Sequence, residues 1–189
     1  MEFERLAIKD VILCKPTVHK DERGYFVETF RQDLLDNFLG FKINFVQDNE
    51  SLSSFGVLRG LHYQLPPFAQ SKLVRVIEGE VLDIAVDIRK NSPTFGSFTG
   101  VMLNSENKHQ LFIPRGFAHG FAVLSKTAVF AYKVDNYYSK ECDRGLFYDD
   151  FGINWGLDKA KRILSSKDLN WPNFSQAKEL FEFEINYYA

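Results

Sequence analysis

Cysteine is scarce: only Cys14 and Cys142 occur in 189 residues, and neither belongs to a CxxC pair. A disulfide framework is therefore excluded, and two free thiols in a reducing compartment are expected. No apolar run approaches the roughly 20 residues that cross a bilayer as a helix. The opening stretch MEFERLAIKD carries charges where a secretory leader would place its apolar core. These absences predict a cytoplasmic protein with no membrane partner. Neither sign of charge dominates, with 23 Lys and Arg against 25 Asp and Glu. Because the two signs are interspersed, the basic face that a nucleic-acid partner requires is missing. Repeats, low-complexity tracts and long linkers are absent too. A chain of 189 residues, 45% of them hydrophobic, suits a single domain with a substantial core.

Phenylalanine, by contrast, is abundant at 19 residues. Short β-branched and aromatic runs recur between Gly, Pro and Asn breaks, which predicts antiparallel strands in a sandwich or barrel. The run KLVRVIEGEVLDIAVDIR, residues 72–89, reads as a hairpin turning at Gly79. Val74 and Val76 share one side. Beyond the turn, Leu82, Ile84, Val86 and Ile88 alternate with Asp83, Ala85 and Asp87, so one face is expected to be buried. Further strands are predicted over 42–48, 109–114, 117–124 and 128–134. Helical periodicity is confined to 31–40 and, later, to 157–164 and 175–183. The expected domain is all-β, with a barrel core over about 40–138 and a C-terminal helical segment over about 150–189.

His62, within GVLRGLHYQ (56–64), is the first residue that suggests chemistry. Its strand setting alone leaves open a metal ligand, a proton carrier or a core filler. Gly56 and His62, taken with Pro114, Gly116 and His119 of IPRGFAHGF (113–121), outline the two-motif pattern of the cupin superfamily. The chain thus resembles a cupin-type antiparallel β-barrel, or jelly roll, with a few short helices, mainly C-terminal. Many cupins hold a metal through a His-x-His pair; here that place reads His62-Tyr63-Gln64. His62 and His119 supply two ligands where a first-row metal wants three or more, so no metal is expected.

Seven blocks in order carry a closer likeness: DERGYFVETF (21–30), VQDNESLSSFGVLRGLHYQ (46–64), AQSKLVRVIEGEVLDIAVDIR (69–89), SPTFG (92–96), IPRGFAHGF, AYKVDNYYS (131–139) and SSKD (165–168). Together they resemble the dTDP-4-dehydrorhamnose 3,5-epimerase family nearly end to end. The resemblance implies inversion of the two carbons flanking the ketone of a nucleotide-diphosphate 4-keto-6-deoxy sugar, with neither cofactor nor metal. Such chemistry needs a base for the hydrogen beside the carbonyl, a stabiliser for the charge gathering on the ketone oxygen, and an acid on the opposite face.

By resemblance His62 is the base, since an imidazole accepts a proton near neutrality. Asp168 would fix its tautomer and stabilise the imidazolium. Tyr132 is the acid, because a phenol is neutral at pH 7 and can donate. Lys72 is the oxyanion stabiliser, a role worth about 3–4 kcal/mol per donor where water is excluded. His119 lines the site. Arg23 and Arg59 match phosphate-contacting positions, where a guanidinium fork makes paired bonds. Gln47 and Asn49 are polar binding positions, and Tyr138 adds stacking. Phe26 and Glu28 match residues that hold the base from a neighbouring subunit, which implies a homodimer.

The pattern departs from the family at DDFGINWGL (149–157), where Phe151 and Gly156 stand in place of prolines. Proline fixes the backbone and Gly frees it, so this segment is expected to run differently, and Asp168 lies downstream of it. Two alternatives accompany the double epimerase. One is a single-site epimerase or ketoisomerase acting on a different nucleotide-linked 4-keto sugar such as a GDP-heptose, and the other is a metal-binding or noncatalytic sugar-binding cupin.

Overall fold

The computed structural model describes residues 1–188. Its elements are β1 (Glu2–Arg5), β2 (Ile12–Lys15), β3 (Val18–Asp21), β4 (Gly24–Val27), helix α1 (Gln32–Leu39), β5 (Gln47–Ser54), β6 (Leu58–Gln64), β7 (Lys72–Glu78) and β8 (Glu80–Asp87). They continue as β9 (Arg89–Lys90), β10 (Phe98–Asn104), β11 (Gln110–Ile113), β12 (Phe117–Val123), β13 (Thr127–Val134), β14 (Asp143–Gly145), helix α2 (Ser166–Leu169) and β15 (Phe181–Glu182). Six strands form one sheet in the order β1-β2-β11-β7-β13-β5, and five form the other in the order β10-β8-β12-β6-β14. Face to face, these antiparallel sheets make the two walls of a cupin-type jelly roll.

The run 72–89 is not a hairpin. β7 pairs with β11 and β13, β8 pairs with β10 and β12, and Gly79 carries the chain from one sheet to the other. Nor does β8 have only one buried face. Leu82, Ile84, Val86 and Ile88 pack outward against a cluster that includes the wholly buried Trp155 and Phe181. Val81 and Ala85 point the other way, into the interior cluster with Val74, Phe121 and Phe130. Asp83 and Asp87 are fully buried. The alternation was real, but a central strand covered on both sides buries both of its faces.

α1 forms where predicted. It lays Leu35 over Leu73, Phe112 and Ile43 on the outer face of the six-stranded sheet. The strand expected over 42–48 begins only at Gln47, because the Ile43 backbone bonds to α1: its N–H donates to Asp36 Oδ1 at 3.0 Å and its carbonyl accepts from Gln32. The C-terminal helical periodicities also resolve differently. Residues 157–164 hold one 3₁₀ turn, Lys159–Lys161, and 175–183 end in β15, paired in parallel with β9. Around Ile163 the backbone is taken up by the barrel, with Ile163 N–H bonded to Gly56 O at 2.8 Å and Leu58 N–H to Ile163 O at 2.9 Å. A continuous helix there would forfeit both bonds.

β6 and β12 fix the geometry that matters most. His119 pairs with His62, but Phe121 pairs with Arg59, so β6 carries one extra residue between those rungs. This bulge places Arg59 and His62, three apart in sequence, on the same inner face, where strict alternation would oppose them. Gly60 makes it possible. Its φ is +124°, and a Cβ there would stand 2.6 Å from the Cα of Gly120 on β12.

Candidate active site

Between the sheets lies a cavity of about 670 Å³, lined by Arg59 and His62 of β6, Lys72 of β7, His119 of β12, Asn49 of β5 and Tyr132 of β13, and closed on one side by Asp168. His62 and Tyr132 therefore enter it from opposite sheets. β5 turns Asn49, Ser51 and Ser53 inward in place of apolar side chains, because its inner face borders this cavity rather than the core.

His62 Nε2 sits 2.5 Å from Asp168 Oδ1. Asp168 is buried at 3% exposure; burial works to raise its carboxyl, but the His62 bond and Ser165 hold it below the usual carboxylate range. The second oxygen of Asp168 accepts from Ser165 Oγ at 2.8 Å, while that Oγ caps α2 by accepting from Asp168 N–H at 3.1 Å. An ionised Asp168 makes Nε2 the protonated nitrogen of neutral His62 and leaves Nδ1 with the free lone pair. The altered 149–157 segment does not disturb this. Trp155 anchors it, fully buried and donating Nε1–H to Tyr148 O at 3.2 Å.

Lys72 extends its Nζ to His62 O at 3.4 Å. Burial lowers its pKa to about 8, opposed by the nearby carboxylates Asp83 and Asp143. It thus remains a cation at neutral pH with few partners to neutralise it. Burial also raises the Tyr132 phenol above its usual value, so its proton is retained. His119, 7% exposed, bonds through Nε2 to both oxygens of Asp83 at 3.1 and 2.9 Å. Burial pushes its pKa down, which favours the neutral imidazole. Its ring stacks over Phe130 at 6.1 Å, and Phe130 over Phe121 at 4.1 Å, so apolar rings back the polar site.

The remaining predicted residues divide into two sets. Gln47 donates to Asn49 Oδ1 at 2.8 Å and accepts from Tyr138 N–H at 3.2 Å, and Tyr138 OH donates to Asp143 Oδ2 at 3.0 Å. These stand at the cavity's edge. Arg23, Phe26 and Glu28 lie on the projecting β3–β4 hairpin and just beyond it, outside the cavity of their own chain. Phe26 is 70% exposed, Arg23 is paired with Asp21, and Glu28 lies 3.8 Å from Arg31.

Four residues near the site went unnoticed in the sequence. Asp83 partners His119; its signal was a carboxylate inside the apolar run LDIAVDI. Asp143 joins Tyr138 to Lys167, whose Nζ also bonds it. Trp171 stands edge-on to His62, with ring centroids 6.4 Å apart. Among the described residues, no group of three or more His, Cys, Asp or Glu side chains converges as a metal site would require. At the His-x-His place, Gln64 is spent on the backbone, donating to Phe68 O at 2.7 Å and accepting from Ser139 N–H at 2.7 Å.

A jelly roll with imidazole, phenol and ammonium groups turned into its interior is a cupin-type barrel equipped for proton transfer. The sequence model for dTDP-4-dehydrorhamnose 3,5-epimerase matches residues 5–176, and the chain belongs to that family. It is 53% identical over 177 residues to the Shigella flexneri dTDP-4-dehydrorhamnose 3,5-epimerase, covering 94% of this chain and 98% of that protein. The crystal structure of the Elizabethkingia anophelis dTDP-4-dehydrorhamnose 3,5-epimerase superposes with a TM-score of 0.89 at 50% identity, covering 93% and 97% of the two chains. The Legionella pneumophila dTDP-6-deoxy-D-glucose-3,5-epimerase, in complex with dTDP-4-keto-L-rhamnose, superposes at 0.93 with 44% identity, covering 97% and 99%.

Proposed function

We propose that this chain inverts C3 and C5 of a nucleotide-diphosphate 4-keto-6-deoxy sugar, converting dTDP-4-dehydro-6-deoxyglucose to dTDP-4-dehydrorhamnose. The observation that carries the reading is the entry of the His62–Asp168 dyad and Tyr132 into one cavity from opposite walls. His62 Nδ1 takes the proton beside the ketone, and Asp168 stabilises the imidazolium that forms. Lys72, buried beside the cavity, meets the negative charge on the ketone oxygen. Tyr132 returns a proton to the far face and recovers it from solvent, so the carbon is inverted rather than restored. Once His62 has passed its proton to solvent, repeating the cycle at the second carbon completes the double inversion. No step calls for a cofactor or a metal.

Arg59, Asn49, Gln47, His119 and Tyr138 hold the sugar nucleotide along the cavity and its edge. The exposed β3–β4 hairpin supports a homodimer in which Arg23, Phe26 and Glu28 complete the neighbouring subunit's nucleotide site; exposed Phe26 would then gain a partner. The identity to dTDP-sugar double epimerases favours thymidine as the base. The chain works as one epimerase domain in the cytoplasm, its barrel walls built from β1 and β2 at the start of the chain as well as from the strands β5–β8 and β10–β14.

The test is a reaction in heavy water with deuterium read at each sugar carbon. Wild type should label C3 and C5, and His62→Ala should abolish both. Label at one carbon only would make this a single-site enzyme. Near-normal exchange in His62→Ala would move the base elsewhere.

A further inference from the structure

Gly145 presents a problem of space rather than of backbone conformation. It pairs in register with His62, so its missing side chain would stand beside the imidazole on the inner face. That place is filled from another part of the chain. A Cβ on Gly145 would lie 2.4 Å from Cε2 and Nε1 of Trp171. The Trp171 ring therefore rests directly on the Gly145 backbone.

Its placement is held from several directions. Pro172 biases the preceding Trp171 backbone towards extended geometry, and Phe147 N–H bonds to Pro172 O at 2.9 Å, zipping the segment alongside β14. Trp171 meets His62 edge-on, with rings 6.4 Å apart and inclined by 69°. Lys167, next to Asp168 on α2, sits with its Nζ 5.2 Å from the Trp171 ring centroid. The indole N–H is buried and has no hydrogen-bond partner among the described residues. Since the N–H makes no bond, what the ring offers its neighbours is its bulk and its π-faces.

From this geometry we infer that Trp171, seated on Gly145, is the wall that shuts water away from the His62–Asp168 bond and fixes the imidazole's aim. Trp171 is a positioning residue. Standing edge-on to His62 and beneath Lys167, it acts on the reaction through them. The inference rests on His62 being the base, and it adds a pair of residues that must change together: any larger residue at 145 displaces the indole.

The experiment reads the resting protein first, by the downfield proton NMR signal of His62 Nε2–H, assigned through its loss in His62→Asn. In wild type this proton should exchange slowly with water. In Trp171→Ala, and independently in Gly145→Ala, the signal should broaden or vanish, and kcat should fall by as much as about a hundred-fold, with KM changing less. Trp171→Phe restores an apolar ring and should recover most of both losses. A signal that persists in both alanine variants overturns the inference, as does its loss with kcat unchanged. Because the signal needs no substrate, this outcome is separate from any failure of the reaction assigned above.

Discussion

His62 and His119 are cross-strand partners on β6 and β12, and each imidazole bonds a different carboxylate, Asp168 for the first and Asp83 for the second. One carboxylate comes from α2 near the chain's end and the other from a neighbouring strand of the same sheet. Only His62 keeps substantial exposure to the cavity: its side chain is 32% accessible, against 8% for His119. Two like residues side by side are thus given different work by burial.

Asp168→Asn should preserve the fold yet lower kcat by about 10²–10⁴-fold, because an amide no longer fixes the Nε2–H tautomer or stabilises the imidazolium. Steady-state kinetics with circular dichroism decide it. A loss below tenfold in a well-folded variant would reduce Asp168 to its role in capping α2.

Activity should decline as pH rises through about 8, where Lys72 loses its proton. The sign follows from its role, since only the ammonium can hold an oxyanion. Between about 8 and the ordinary 10.5 the unfolded chain binds the proton that the folded chain has released, so stability should rise with pH as activity falls. Lys72→Met should remove the alkaline limb and cost about 10²–10³-fold in kcat. A limb that survives in that variant belongs to another group.

Tyr132→Phe should suppress inversion more than exchange. His62 can still remove the proton, which returns to the same face once the far-face donor is gone. Deuterium uptake measured beside product stereochemistry separates the two, and an equal fall in both would defeat the division of roles.

Gly60→Ala should destabilise by about 3 kcal/mol or more, since a methyl group meets Gly120 Cα where the backbone also holds a left-handed φ. Thermal unfolding tests this. A midpoint within a degree of wild type would mean the strands separate easily at that point.

Much of the site was legible because its residues sit in contiguous blocks: His62, Lys72, Tyr132 and Asp168 were all named from the sequence, and all reach one cavity. The residues missed depend on what packs against them. Asp83 followed the alternation faithfully and was read as an outward polar residue; only the second sheet, invisible to a period of two, makes its side the interior. The shared face of Arg59 and His62 requires a bulge that no periodicity predicts. Trp171 gave no signal of its own, since its seat is an absent side chain on a distant strand. The helical periodicity at 157–164 lost to backbone bonds with Gly56 and Leu58, a tertiary demand that outweighs local preference.

The order β1-β2-β11-β7-β13-β5 draws one wall from both ends of the chain's first three-quarters, and Gly79 sends consecutive strands to different walls. Few neighbours in sequence are neighbours in space, so long loops must close before contacts repay them, and refolding from denaturant should take on the order of milliseconds to seconds or longer. Recovery of turnover should lag recovery of sheet signal, because the carboxylate that completes the dyad arrives from 106 residues downstream of its imidazole.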